Sequence, residues 1–354
     1  MDDRIDIEAR AAGRRPTPHP TILLTRCDIA ALMAPADYRR AVEAAFRARA
    51  HGLGAVPSPM HLPGPDGGFH VKGAGFPRGA LGGGAERGYA AFKINGNFPE
   101  NRSRHGLPTI QGALVLCDGE DGSVLALMDS IEITLQRTAA ATALAATRLA
   151  RPDSHHVAIC GCGDQALPQL TALRDVLPLS SGSAWDIDPA RARGLAAAAR
   201  DLGLPMVAVE TLAEATLPSD VIVTCTTARG PFLGPEHVAP GAFIAAVGAD
   251  SPDKNEVRPE LMAAATVVVD VLGQALDMGD LRHAVAAGRV TSQDVHAELG
   301  EILAGRRPGR TRRDEITLFD STGTAIQDVA AAAAIFELAA GRGLGHAVSL
   351  GDAS

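Results

Sequence analysis

Hydrophobic positions recur in two different rhythms along the chain, and the change between them divides it. Residues 1–20 (MDDRIDIEARAAGRRPTPHP) show no apolar periodicity and are rich in proline, which predicts a mobile tail. Ile22-Leu23-Leu24 reads as a short strand, and residues 36–51 carry Tyr38, Val42 and Phe46 at helical spacing. From Pro57 to Gly88 glycine and proline dominate, with turn signals at GPDGG and GALGGG. Phe69-His70-Val71, the stretch from Tyr89 to Ile94, GALVLCD and SVLALMD read as strands. The last two flank a hairpin signal at Gly119-Glu120-Asp121-Gly122. These pieces predict a mainly antiparallel sheet with helices.

Residues 131–150 then form a long Ala-rich helix ended by Arg151-Pro152. Beyond it the rhythm changes. Short apolar strands at 156–160, 183–186, near Val207, 221–224, 243–247 and 267–271 alternate with helices at 164–176, 189–202 and 212–217. That alternation predicts βαβ units and a doubly wound parallel sheet of Rossmann type. A last apolar helix over 327–341 is expected to pack back on the first region. The predicted class is therefore α/β: a tail of residues 1–20, a discontinuous α+β domain of 21–135 and 321–354, and a Rossmann domain of 136–320.

Composition narrows the function. Hydrophobic residues are 46% and charged residues 21%, which excludes wholesale disorder. No apolar run reaches the ~18 residues of a membrane span, and the acidic start MDDRIDIEAR lacks a secretory h-region, so a cytoplasmic protein without membrane partners is expected. The formal charge is −8 and the basic residues are scattered, which argues against nucleic acid. Aromatics are only 3%, too few for stacking platforms. Five cysteines, an odd count, make no disulfide framework.

The 38 glycines point to chemistry. Gly161-Cys162-Gly163-Asp164-Gln165-Ala166 follows a strand and opens a helix in the pattern G-x-G-x-x-A. The first glycine permits the tight turn, and the second lets backbone approach a pyrophosphate at the helix N-terminus. Asp186 ends the next strand, where an acid takes the ribose hydroxyls. No Arg follows it directly, so NAD is favoured over NADP, with Arg191 and Arg193 keeping the alternative open. Thr224 ends strand 221–224 in hydroxyls, at the sheet edge where such folds bind ligands.

Asp250, in Val247-Gly248-Ala249-Asp250, falls just past another strand at that same edge and can serve as general acid/base. Lys93 sits in a strand between Phe92 and Ile94, either turned inward to hold a carboxylate or snorkelling at the surface. Arg137 is the only charge between Glu132 and Arg148, which calls for an anionic partner or a surface position. Cys160-x-Cys162 lacks a second Cys/His pair, so no metal is expected. His155-His156 and the basic loop from Arg306 to Arg313 read as solvated.

Together these pieces resemble the ornithine cyclodeaminase/mu-crystallin family. The likeness rests on Gly106-Leu107-Pro108-Thr109, Ala126-Leu127-Met128-Asp129, Arg137-Thr138-Ala139-Ala140, the Gly161-Cys162-Gly163 turn, Val247-Gly248-Ala249-Asp250, Ala297-Glu298-Leu299-Gly300-Glu301 and Phe319-Asp320-Ser321-Thr322-Gly323. The resemblance implies a homodimer with a substrate-binding and dimerisation domain and an NAD-binding Rossmann domain. It implies Asp250 and Lys93 as catalytic groups, with Lys93, Arg137 and Thr322 on an amino- or imino-acid substrate. Cofactor contacts would come from Thr109, Arg137, Gly161, Gly163, Asp164, Gln165, Asp186, Thr224, Val247, Lys254 and Ser321.

One departure stands out. Many members carry an Arg in the Pro-rich segment before Lys93, but Pro57-Ser58-Pro59-Met60-His61-Leu62-Pro63 has none. Lys72 can substitute if Phe69 and Val71 take the core and His70 and Lys72 face the cleft. The leading expectation is conversion of ornithine to proline and ammonia with internal redox. The alternatives are an imino-acid reductase or alanine-type dehydrogenase, and a non-catalytic crystallin-like binding protein.

Overall fold

The computed structural model describes residues 20–82 and 87–350. The tail expected over 1–20 thus lies, save for Pro20, outside the described residues. Two sheets organise the rest. The first contains β1 (Thr21–Leu24), β2 (Met60–Gly64), β3 (Gly67–Phe76), β4 (Tyr89–Asn97), β5 (Ile110–Asp118) and β6 (Val124–Asp129). Strands β2 to β6 form an antiparallel meander, and β1 lies parallel to β6.

The second sheet contains β7 (His156–Cys160), β8 (Ser181–Trp185), β9 (Met206–Ala208), β10 (Val221–Thr224), β11 (Phe243–Ala246), β12 (Thr266–Val269), β13 (Ala297–Glu298) and β14 (Thr317–Asp320). All its pairings are parallel, in the order β9-β8-β7-β10-β11-β14-β12-β13. The chain winds outward from β7 in one direction and from β10 in the other, so their carboxyl ends flank the switch-point crevice where such sheets bind ligands. Finally β15 (His346–Val348) returns to pair antiparallel with β1.

Burial on both faces explains why the parallel strands read as apolar runs: every residue of β10 and β11 is buried. The first sheet is less regular. β2 was not expected at all, and β3 runs for 10 residues, well beyond the short piece at 69–71. Its glycines hide the alternation but are required by packing: a Cβ on Gly73 would lie 2.9 Å from the Phe92 ring. The expected facing is also reversed. Lys72, Ala74 and Phe76 are buried, whereas Phe69 lies on the outer face with Phe92, Ile94 and Leu127, each at least 40% exposed.

Two helices join the layers. Ser130–Leu149 is capped by the Asp129 carboxylate, which accepts the N–H groups of Ile131 and Glu132 at 3.1 and 3.0 Å. Its small Ala side chains let it pack against β5 of one sheet and against β11 and β14 of the other. Residue 135, where a domain boundary was expected, lies inside this unbroken helix. Ala325–Arg342 lies against β3, β4, β5 and β6, and ends at Gly343 in the left-handed conformation (φ +64°). His156 is not solvated as expected, since its ring nitrogens lie 2.7 and 2.9 Å from the Ser181 and Ser183 hydroxyls. Likewise Arg310 of the basic loop pins the Leu149 and Ala242 carbonyls. Among the described residues, no helix is long and apolar enough to cross a membrane.

Candidate active site

The glycine turn sits at the switch point. Gly161 has φ +96°, and a Cβ there would lie 2.7 Å from Thr226 Cγ2 and 2.9 Å from the Cys225 backbone. Only glycine fits. A Cβ on Gly163, by contrast, would meet nothing within 4 Å, so backbone there is open to a ligand. Asp164 is exposed and Gln165 half-buried just before the helix Ala166–Arg174. The Asp186 carboxylate accepts the N–H of Cys162 at 2.7 Å and of Asp188 at 2.8 Å, which fixes the acid beside the turn. Burial pushes the Cys162 thiol up to about 12, the opposite of what a thiolate ligand requires.

A residue not singled out in the sequence organises the neighbouring edge. The buried Glu256 carboxylate accepts from the Thr224 hydroxyl, the Thr226 N–H and hydroxyl (each 2.7 Å), and the Gly248 N–H (2.8 Å). It ties the end of β10 to the Val247-Gly248-Ala249-Asp250 segment. Thr224, expected at the cofactor, is fully buried and its hydroxyl donates to Glu256. Val247 is buried at the end of β11. Ser321 Oγ, 2% exposed, has no hydrogen-bond partner among the described residues. An open backbone at Gly163, an acid at the next strand end and an orphaned buried hydroxyl at the same sheet edge fit a dinucleotide.

The first sheet presents cations. Lys72 and Lys93 face each other in register on β3 and β4. Lys93 Nζ lies 2.8 Å from Asp328 and 3.3 Å from the Thr134 hydroxyl. Arg137 donates to the same carboxylate at 2.9 Å and to Gln327 Oε1 at 2.9 Å. Arg137 therefore has the anionic partner its position demands, but it is internal. Burial pushes the Lys93 ammonium down to about 7 against the opposing pull of Asp328, with Arg137 and Lys72 adding to the depression. Asp328 was missed, although the reasoning applied to Arg137 finds it: it is the lone charge in the helix Ala325–Arg342 before Glu337.

Lys72 is held differently. Its Nζ donates to the Thr322 and Gly323 carbonyls at 3.2 and 2.9 Å, and no carboxylate among the described residues pairs with it. Burial lowers its pKa, and Asp250 is the strongest charge opposing that shift. Thr322 was expected on the substrate, and its hydroxyl is engaged within the protein. That hydroxyl donates to Asp270 at 2.9 Å and accepts from Gln274 at 2.7 Å, leaving the carbonyl to position Lys72.

Asp250 stands at the mouth of the crevice with its side chain 49% exposed. Its carboxylate meets Lys254 Nζ at 2.6 Å, so Lys254 is held by the acid. The crevice walls raise the Asp250 pKa by desolvation, but Lys254, Lys72 and His70 outweigh them and hold it at about 2. Thr109 is half-buried at the start of β5.

A model of the ornithine cyclodeaminase/mu-crystallin family matches residues 20–343. The chain belongs to that family. Alanine dehydrogenase of Archaeoglobus fulgidus is 37% identical over 93% of this chain and 98% of its own length. Among solved structures, an archaeal alanine dehydrogenase dimer with bound NAD superposes at a TM-score of 0.87, with 36% identity, covering 94% of this chain and 99% of that one. The iminosuccinate reductase of Paracoccus denitrificans in complex with NAD+ gives 0.85, with 32% identity, covering 94% and 100%. The ornithine cyclodeaminase/mu-crystallin family thus covers both sheets of this chain and not the Rossmann half alone.

Proposed function

We propose that this chain is an NAD(H)-dependent enzyme acting at the Cα–N bond of an amino or imino acid, with net redox in each turnover. The observation that carries this reading is the pairing of unlike groups across the crevice. Lys72 is a buried cation bound only by carbonyls, and Asp250 is an ionised carboxylate that feels its charge. A substrate carboxylate on Lys72 places Cα between the sheets, with its nitrogen toward Asp250. NADH held at the glycine turn would supply the hydride to the imine carbon and leave as NAD+. Asp250 would take a proton from solvent once the substrate carboxylate offsets the neighbouring cations, then pass it to nitrogen, so C=N becomes CH–NH; oxidation would run the same steps in reverse. Asp186 takes the ribose hydroxyls and disfavours a 2′-phosphate.

Residues 21–135 and 321–354 serve as the substrate and dimerisation part, and 136–320 as the NAD part, of a cytoplasmic homodimer. The exposed row of Phe69, Phe92, Ile94 and Leu127 supports a dimer contact on the outer face of the first sheet. Sedimentation velocity is expected to give a dimer, and a Phe92→Lys variant to shift it toward monomer.

The test of function is the stoichiometry of reduced nicotinamide. Supplying NADH, ammonium and 2-oxo acids, or cyclic imines, is expected to consume one NADH per amine formed, with NADPH a poor substitute. Ornithine converted to proline without net change in NADH would replace this reading by the cyclodeaminase one. Lys72→Met is expected to raise KM for the amino or imino acid about tenfold or more, the ~1.5–3 kcal/mol of a charge-assisted hydrogen bond. NAD(H) affinity should not change. An unchanged KM would leave the carboxylate to Lys93 and Arg137.

A further inference from the structure

The register of the first sheet sets out the floor of the cleft. Next to the row formed by Lys72 and Lys93 lies a second row on the same face, one alternation away: His61 of β2, His70 of β3 and Asn95 of β4 stand side by side. The His61 and His70 rings are 4.5 Å apart, tilted by 33°. Gly68 makes room for them, since a Cβ there would lie 2.8 Å from His61 Nε2. His70 is half-buried and feels Asp250, Lys72 and Lys254, which places it on the substrate side of the crevice. Asn95 Oδ1 accepts the Ser130 hydroxyl at 2.6 Å.

This second row contains no carboxylate, and each imidazole has at least one N–H to donate. The acids around it are engaged: Asp328 by Lys93 and Arg137, Asp250 by Lys254, and Asp270 by Thr322 and the Gly323 N–H. A distal ammonium laid across the row would meet two imidazoles and a buried lysine, with no free acid to hold it. An apolar side chain would cover the half-buried His70 ring without pairing it. A second carboxylate gains charge-assisted hydrogen bonds from both rings.

We propose that His61 and His70 read the substrate's side chain, and that the substrate is an imino or amino acid bearing a second carboxylate. This inference rests on the imino-acid reading above and names its substrate class. The chemistry is unchanged: hydride to the imine carbon, proton to nitrogen, with the distal carboxylate a spectator. Burial and the neighbouring His61 push His70 below its ordinary value, with Asp250 opposing and Lys72 and Lys254 adding to the depression. An anion on the His70 ring draws its proton back, so the selectivity is strongest in mildly acidic solution and fades as pH rises past neutrality.

The test compares NADH oxidation with ammonium plus oxaloacetate against ammonium plus pyruvate at pH 6, 7 and 8. The wild type is expected to prefer the dicarboxylate at least tenfold in kcat/KM at pH 6, with the ratio falling by pH 8. His70→Gln, and separately the more exposed His61→Gln, should each cut that ratio several-fold, with NADH affinity by fluorescence reporting an intact fold. Preference for pyruvate or a cyclic imine in the wild type would overturn this inference alone, as would a ratio unmoved in both variants. No NADH oxidation with any imino acid would overturn the functional reading as well.

Discussion

Replacing Asp250 by Asn is expected to lower kcat by about a thousandfold while NAD(H) affinity stays within a few-fold, the scale of a lost general acid/base. The amide keeps the size and the position past β11 but cannot carry the proton. The proposed nucleotide contacts at the Gly161–Gly163 turn and Asp186 lie elsewhere, so the dinucleotide should not sense the change. A variant with near-full kcat would mean that another group moves the proton. In the free enzyme Asp250 is held at about 2, so kcat/KM for amine oxidation, where it acts as the base, should show no acid limb from it between pH 5 and 9. Lys254→Met removes the nearest cation and should move that limb upward. Substrate has a similar effect: a carboxylate on Lys72 neutralises a second cation, so Asp250 becomes a better proton donor once the ternary complex forms. Its folding contribution has the opposite sense. The depressed value adds stability above about pH 4, and that stability is lost as pH falls toward 2.

The parallel sheet was legible because strands buried on both faces must be apolar along their whole length, as Val221–Thr224 is. The antiparallel sheet was harder to read. β3 spends its small positions on close packing against Phe92, so its alternation shows only in structure. His70 and Lys72 do share a face, but it is the face that continues into the core through Ala74 and Phe76. Glu256 had no legible signal, because its partners are two hydroxyls and two N–H groups that converge only when β10 and β11 are side by side. Thr224 illustrates the converse. The rule that ligands sit at carboxyl ends of strands points to this edge, yet this hydroxyl turns inward to Glu256. Asp328 was within reach of sequence logic. A lone Arg on one apolar helix and a lone Asp on another are natural partners, and Arg137 and Asp328 do meet.

That partnership underlies the second large effect. Asp328→Asn should destabilise the protein by about 3–5 kcal/mol, the magnitude found when one partner of a buried pair is removed. A single carboxylate, 1% exposed, serves both Lys93 and Arg137. Lys93 can escape the loss by shedding its proton, since burial already holds it at about 7. Arg137 cannot, because a guanidinium stays charged. Its compensation would shrink to Gln327, with two other cations nearby. Urea unfolding followed by circular dichroism measures the effect, and a change below about 1 kcal/mol would show that solvent or Gln327 already carries Arg137. A triple variant separates stability from function. Lys93→Met, Arg137→Met and Asp328→Leu together replace the cluster by apolar groups of similar size, which in buried ion networks restores stability or raises it. Turnover should stay low in that protein, since the floor would then lack the Lys93 and Arg137 charges beside Lys72. Recovery of both together would mean that the cluster serves only packing.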